Sequence, residues 1–266
     1  MYIIGDRVKQ DISKSKPVVT WVIVGLCVLI FLLQLLLDQF PSSRFEGATQ
    51  GDIFLYNFSA IPARVMNISA ANLSWITVPG WLTLVTSLFL HGDIWHIFFN
   101  MWTLLVFGDN IEHALGRAGY AIFYIAGGII ATLAHVIFSL NGTSLATPTL
   151  GASGAIAAVM GIYMILYPKS QVYVLALWIP IAMPSVVFMG IWFALQILGV
   201  LNSSSGIAWW AHIGGFLFGV LVGLIVKRFS RRLFTPESWS SRRFMKHEPF
   251  GREDGRTSDE EDIWRH

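Results

Sequence analysis

The side chains of this sequence that could do chemistry are a serine and several histidines set in apolar runs. Ser153 stands in the segment Gly151-Ala152-Ser153-Gly154 at the start of such a run. Two glycines leave the hydroxyl uncrowded, and a helix N-terminus offers unpaired N–H groups that stabilise an oxyanion. The pattern favours a serine nucleophile. Helix packing is the alternative, because Gly, Ala and Ser are enriched at helix contacts in membranes.

A base for this serine is available in His212, near the start of the last apolar run. Gly215 and Gly219, spaced by four, form a smooth stripe on one helix face, and His212 lies beside it. Ionisable side chains inside a membrane are costly and are typically functional. We therefore predict that His212 is a general base, with a structural hydrogen-bonding histidine as the alternative.

A further polar pair, His96 and Asn100, lies in the second apolar run. A spacing of four puts both side chains on one face of a helix. Imidazole and amide N–H groups are suitable oxyanion donors, so we predict that they stabilise a developing negative charge. His91 precedes His96 by five residues and points away from that face, which predicts a supporting role near the mouth of the site.

A carboxylate to complete a triad is missing at this depth. Between residues 94 and 226 the acids are Asp109 and Glu112, and the 13 residues from His96 to Asp109 span about 20 Å of helix. This predicts a Ser–His dyad whose imidazole is oriented by packing and aromatic neighbours. With no H-E-x-x-H motif and no Asp or Glu at the depth of His96 and His212, we expect neither a metal nor a cofactor.

The composition excludes a soluble globular enzyme. Of the 266 residues, 55% are hydrophobic and 13% are charged, with a mean hydropathy of +0.61. Eighteen of the 34 charged side chains lie in residues 227–266, so the net charge of +2 belongs mainly to the tail and does not indicate nucleic-acid binding. The chain therefore reads as a polytopic membrane protein whose partners include the lipid bilayer.

Six apolar segments are long enough to be transmembrane helices, which predicts an all-α bundle. A long and mildly polar loop, residues 38–93, separates the first two segments, and we expect part of it to lie in the membrane interface. The predicted segments are 18–37, 94–114, 118–140, 152–168, 171–200 and 209–226.

Basic residues orient these segments. They precede the first segment, lie in the turns at Arg117 and Lys169, and follow the sixth segment, which predicts that both termini are cytoplasmic. Three regions result: a cytoplasmic N-terminal segment (1–17), a membrane domain (18–227) and a charged, disordered tail (228–266).

The fourth segment is short for a membrane span. From Gly151 to Tyr167, before Pro168, there are 17 residues, or about 25 Å of helix, against roughly 30 Å of hydrocarbon. If its cytoplasmic end lies near Lys169, its other end stops below the opposite membrane surface. At that depth, irregular backbone is tolerated only where it is buried in protein or lines a water-filled cavity. This predicts a water-accessible cavity at Ser153, below the membrane surface.

Taken in order, these motifs resemble the rhomboid family of intramembrane serine proteases over about residues 80–227. The resemblance implies that Ser153 is the nucleophile and His212 the base, and that His96, Asn100 and the Ser153 N–H form the oxyanion hole. It also implies that Glu112 braces the cytoplasmic helix ends. The motifs are the run His91 to Met101, Glu112 with Gly116, the run Gly151 to Gly154, and Ala211-His212 with Gly215 and Gly219.

The resemblance further implies a single-span transmembrane protein substrate that enters laterally and unwinds. Pro180 and Pro184 permit bending of the fifth segment. We therefore expect a gate in which aromatic side chains of the fifth segment (Phe188, Trp192) oppose those of the second (Phe98, Trp102), although lipid-facing roles explain such residues equally well. The alternatives are an inactive rhomboid-like client-binding protein and a small transporter. A prokaryotic plasma membrane is the expected location, with an organelle as the other option.

Overall fold

The computed structural model describes residues 2–6, 16–68, 75–139, 145–176, 179–201 and 208–229. The predicted tail, 228–266, lies almost wholly outside these residues. The elements in chain order are β1 (Tyr2–Asp6), α1 (Val18–Leu37), α2 (Gln50–Phe58), α3 (Pro62–Val65), α4 (Gly80–Thr86), a 3₁₀ turn (Ser87–Phe89), α5 (Ile94–Ser139), α6 (Ser153–Leu166), β2 (Gln171–Ala176), β3 (Ile179–Pro184), α7 (Ser185–Leu201) and α8 (Trp209–Phe229).

The second and third predicted segments form the two arms of the long helix α5. The arms meet at Gly116, whose φ of 72° and ψ of 163° are not helical. A residue with a side chain would be strained in this left-handed region, so glycine suits the break. The predicted boundary between the two segments, near residues 115–117, therefore lies at a real interruption of the helix.

Helix length and apolar character are those of a membrane protein. Among the residues that the structure describes, three helices, α1, α5 and α8, are long and apolar enough to cross a bilayer, and α6, α7 and the Gly80–Phe89 region are shorter apolar helices. Large apolar side chains remain exposed on the outward faces, such as Leu29 at 65% and Leu221 at 56%. Contiguous apolar surface of this kind is covered by lipid rather than by water.

The prediction of one helix over 171–200 is wrong in its first half, and the chain is not all-α. Residues 171–184 form the antiparallel strands β2 and β3, paired from Gln171↔Pro184 to Ala176↔Ile179, and α7 begins only at Ser185. The reason is Pro180 and Pro184, which cannot donate to a helical ladder but are tolerated in an edge strand. The strand order β1-β2-β3 makes β3 such an edge strand.

The N-terminal strand β1 completes this sheet. It pairs with β2 in an antiparallel register from Tyr2↔Leu175 to Asp6↔Val172. Asp6 accepts hydrogen bonds from the Tyr163 hydroxyl of α6 and from Asn110 Nδ2 of α5, the latter at 3.0 Å. The first residues of the chain are therefore fastened to the helical bundle.

The core of the bundle is built around α6, which lies between α5 and α8. Every residue of α6 from 154 to 163 is buried, and most of these side chains are small or aliphatic. The helix is short and enclosed by its neighbours, whereas the expectation that its start is submerged below the membrane surface stays a prediction. Its first residue, Ser153, is thereby held inside the protein.

The loop 38–93 carries its own short helices, α2, α3 and α4. Thr49 caps α2 in a capping box with Asp52: the Asp52 N–H donates to Thr49 Oγ1 at 3.0 Å and the Thr49 N–H donates to Asp52 Oδ2 at 2.8 Å. Residues 69–74 of this loop lie outside the described residues. The location of the loop in the membrane interface stays a prediction.

Candidate active site

The backbone before α6 brings Ser153 to the centre of the bundle. A β-bridge pairs Thr149 with Ala60, and the Gly151 N–H donates to the Ser87 carbonyl at 2.8 Å. Gly151 has a φ of 116°, which L side chains rarely adopt. A Cβ built there would lie 2.8 Å from the His96 ring, so only glycine leaves room for that ring.

His212 lies in the first turn of α8 and reaches Ser153 directly. The distance from His212 Nε2 to Ser153 Oγ is 2.9 Å, a hydrogen bond. The two helices approach closely at Gly215, where an added Cβ would lie 2.1 Å from the Gly154 carbonyl oxygen. Gly219 lies at the same contact one turn further along, against Ala158. The predicted glycine stripe therefore does face the helix of the serine.

The other nitrogen of the same imidazole has a partner that the sequence analysis missed. His212 Nδ1 lies 2.8 Å from Oε1 of Gln196 on α7, and Gln196 is 5% exposed. The Gln196 Nε2 donates to the Trp192 carbonyl at 2.8 Å. A signal was present, because Gln196 is the one amide side chain in the apolar stretch 185–201, and polar groups inside membranes are typically functional.

Aromatic rings flank the imidazole, as expected. The Trp192 ring centroid lies 5.9 Å from that of His212 at an interplanar angle of 40°. The Trp209 ring lies 6.2 Å away and is perpendicular to it. These rings limit rotation of the imidazole, while Gln196 supplies the directional contact.

The predicted oxyanion donors, His96 and Asn100, line the same space. The Gly92 N–H donates to His96 Nδ1 at 3.4 Å, which leaves the proton of the neutral ring on Nε2, on the Gly151 side. Asn100 Nδ2 is buried and has no hydrogen-bond partner in the part of the chain that the structure describes. The N–H groups of His96 Nε2 and Asn100 Nδ2 thus both lie near the backbone of Gly151, two residues before Ser153.

His91 is fully buried beside His96, with ring centroids 5.1 Å apart in an edge-on contact. Its backbone is held by Gln34 of α1, whose Nε2 donates to the His91 carbonyl at 2.9 Å. Burial and the neighbouring His96 lower the pKa of His91 to about 4. His91 is therefore a neutral ring packed edge-on against His96, and it is buried rather than lying near an open mouth; its supporting role stays a prediction.

Glu112 lies at the opposite end of the bundle, where its carboxylate caps the N-terminus of α1. The N–H groups of Val19 and Thr20 donate to its two oxygens at 2.9 and 2.8 Å, and the Thr20 hydroxyl donates at 2.9 Å. A carboxylate is favourable there because a helix N-terminus carries partial positive charge. These hydrogen bonds join α5 to the start of α1, and the implied role as a brace of the cytoplasmic helix ends stays a prediction.

The structure arranges the predicted gate residues differently from the expectation. Phe188 is buried against Phe107 of the second segment, with ring centroids 6.5 Å apart, rather than against Phe98 or Trp102. Phe98 and Trp102 are exposed and stack on each other, and the Trp102 indole N–H donates to the Ile3 carbonyl of β1. The four rings therefore do not form the opposing set that was predicted.

This chain is similar to known rhomboid proteins of yeast, fish and bacteria. The chain is 27% identical over 170 residues to "Rhomboid protein 1, mitochondrial" of Saccharomyces cerevisiae, covering 59% of this chain and 47% of that protein. It is 31% identical over 145 residues to "Presenilin-associated rhomboid-like protein A, mitochondrial" of Danio rerio, covering 52% and 36%. It is 28% identical over 140 residues to "Putative rhomboid protease YdcA" of Bacillus subtilis, covering 49% and 65%.

The matched part of the chain thus spans less than half of the yeast and zebrafish proteins. The relatives include both mitochondrial and Bacillus proteins, so they do not support the expectation of a prokaryotic plasma membrane over an organellar one. The family model of the rhomboid domain matches residues 79–229, a range that contains Ser153, His212 and the residues around them. Because this match covers more than half of its length, the chain belongs to the rhomboid family.

Proposed function

We propose that this chain is an intramembrane serine endopeptidase in which Ser153 attacks and His212 acts as the base. The observation that carries the proposal is the 2.9 Å contact between Ser153 Oγ and His212 Nε2. Family membership supports it, since relatives in Bacillus subtilis bear the name rhomboid protease. The arrangement is a nucleophile and base without a carboxylate third member.

The chemistry follows from the positions of these groups. Ser153 Oγ attacks the substrate carbonyl as its proton passes to His212 Nε2, and His212 then gives that proton to the leaving amine. The oxyanion is stabilised by His96 Nε2–H, by Asn100 Nδ2–H and by the backbone N–H of Ser153 at the start of α6. A water molecule, activated by His212, then hydrolyses the acyl-enzyme and restores the serine.

We propose that six helical segments cross the membrane: α1, the two arms of α5, α6, α7 and α8. With 14 residues, α6 is about 21 Å long, against roughly 30 Å for the hydrocarbon core. In this topology Ser153 lies below the membrane surface, and both termini are cytoplasmic. The substrate is a single-span helix that unwinds near the site with a small side chain before the scissile bond. No metal or cofactor takes part.

A fluorophosphonate probe on the purified protein in detergent tests the nucleophile. The wild type should be labelled and should cleave a reporter membrane helix, whereas Ser153→Ala should do neither while keeping its thermal unfolding temperature. Ser139→Ala is a matched control, because Ser139 Oγ also contacts a histidine, His135 Nε2, at 3.3 Å, but in a single turn of α5.

Labelling that persists in Ser153→Ala and disappears in Ser139→Ala would show that the nucleophile is Ser139, paired with His135, and not Ser153. A wild type that binds the reporter helix without cleavage or labelling would favour a client-binding protein. Substrate flux that survives Ser153→Ala would favour a transporter.

A further inference from the structure

We infer that Gln196 is a positioning residue that holds His212 in the one neutral tautomer able to accept the Ser153 proton. The inference rests on the proposed function and adds a third side chain to the dyad. Three successive contacts carry it. Gln196 Nε2 lies 2.8 Å from the Trp192 carbonyl oxygen, and Gln196 Oε1 lies 2.8 Å from His212 Nδ1. His212 Nε2 in turn lies 2.9 Å from Ser153 Oγ.

The orientation of the Gln196 amide is fixed by its partner on α7. One end of the amide faces the Trp192 carbonyl, which can only accept a hydrogen bond. The NH₂ group must be at that end, because a flipped amide would place two oxygens against each other. The amide oxygen is therefore the end that faces His212 Nδ1.

The tautomer of His212 follows from the amide. Because Oε1 can only accept, Nδ1 must carry the ring proton, and in a neutral imidazole Nε2 then carries a lone pair. That lone pair faces the Ser153 hydroxyl at 2.9 Å and can take its proton. In the other tautomer, Nε2 would present a hydrogen to Ser153 and could not act as a base.

Gln196 fills the position that an aspartate has in serine proteases with a full triad, but without its charge. When the Ser153 proton reaches Nε2, both nitrogens of the imidazolium are donors, and the Nδ1–H bond to the Gln196 oxygen remains. A neutral partner avoids placing an unpaired carboxylate in the apolar interior, which costs much more than an amide. Burial of Gln196 keeps water from competing for Nδ1.

A purely structural role for Gln196 is the competing explanation, since a buried amide between α7 and α8 also joins two helices. Tautomer state separates the two roles, because loss of a helix contact alone would not change which nitrogen is protonated. Histidine-selective ¹⁵N NMR of the protein in detergent micelles reads this state directly. The His212 signals are assigned by their absence from His212→Ala.

We expect the wild type to show His212 protonated on Nδ1. Gln196→Leu should give a mixture of tautomers, and its kcat should fall by about ten- to a hundredfold with KM little changed. Gln196→Glu keeps an acceptor at Nδ1 and should restore the Nδ1–H tautomer and part of kcat. A wrong tautomer costs about 10⁴-fold where a charged partner is replaced, so a smaller loss is expected for a neutral one.

The control is Gln34→Leu. Gln34 lies on α1, is equally buried at 5% exposed, and donates a hydrogen bond to the backbone carbonyl of His91. It should lower thermal stability comparably and leave the His212 spectrum unchanged. A Gln196→Leu protein with His212 still fully protonated on Nδ1, or a wild type protonated on Nε2, would overturn the inference. Since the spectrum is recorded without substrate, a wild type that does not cleave would count against the proposed function alone.

Discussion

Ser153 and His212 are 59 positions apart in the chain, and their side chains meet at 2.9 Å in the folded protein. Each is a polar side chain in an apolar run, and each lies beside glycines that permit close helix approach. Gln196 was not predicted, because its role depends on which face of α7 turns towards His212. That rotation is set by tertiary packing around Trp192 and Phe216 and not by local pattern.

At the residue scale, Gly151→Ala tests the oxyanion region. The left-handed backbone disfavours any side chain, and the added Cβ would lie 2.8 Å from the His96 ring. We predict that His96 is displaced and that kcat falls about a hundredfold, as for loss of one oxyanion donor. Steady-state cleavage of a reporter helix measures this.

Gly190→Ala is the control, since Gly190 lies on α7 with nothing within 4 Å of its added Cβ. It should keep wild-type kcat. Equal rates for the two variants would show that His96 does not need the space at Gly151.

At the scale of elements, α6 and α8 are held at close range by backbone contact at Gly215. In Gly215→Ala, the new Cβ would lie 2.1 Å from the Gly154 carbonyl oxygen, so the helices must separate. We predict a loss of about 1–3 kcal/mol in unfolding free energy, as for overpacking, together with loss of cleavage. Thermal unfolding and reporter cleavage measure the two effects. Gly25→Ala on α1, with open space around its Cβ, should change neither.

Glu112 links α5 to the start of α1, because its carboxylate accepts three hydrogen bonds there. Glu112→Gln replaces one acceptor oxygen by a donor and removes the charge that the helix N-terminus favours. We predict a loss of about 1–3 kcal/mol in stability with the dyad geometry intact. Denaturant unfolding measures it, and the exposed Glu46→Gln is the control; equal stability of the two variants would contradict the prediction.

The hairpin of β2 and β3 shows where pattern reasoning failed at this scale. After Gln171, the run from Val172 to Pro184 is predominantly apolar, and an apolar run alone does not separate a strand from a buried helix. Prolines in such a run are compatible with a bent helix, but two prolines four residues apart are better accommodated by an edge strand. The partner strand, β1, is more than 160 residues away and could not be anticipated locally.

At the scale of the whole molecule, the sheet and the bundle are joined through Asp6. Burial raises the pKa of Asp6 above its ordinary value, against the opposing effect of hydrogen bonds from Tyr163 and Asn110. The folded protein therefore binds this proton more tightly than the unfolded chain does. The contribution of Asp6 to the free energy of unfolding is fully present below the ordinary carboxyl pKa. That contribution is lost as the pH rises through the raised pKa of the folded protein.

We predict that Asp6→Asn makes thermal stability depend less steeply on pH than in the wild type above about pH 4, near the ordinary carboxyl pKa. Unfolding temperatures in detergent across that range measure the slope, with Glu46→Gln as a control that removes an exposed carboxylate far from the sheet. Parallel curves for Asp6→Asn and the wild type would show that Asp6 does not titrate in this range.

The contacts of β1 and of Glu112 have a practical consequence for anyone who shortens this protein. A fragment cut to the borders of the matched domain, residues 79–229, would discard the strand beside β2 and the helix that Glu112 caps. In this fragment the Glu112 carboxylate would stay buried without the N–H groups of α1 that donate to it. The edge of β2 that pairs with β1 would be exposed. We therefore expect the unit that folds on its own to be longer than the matched domain, and expression vectors should begin at the first strand.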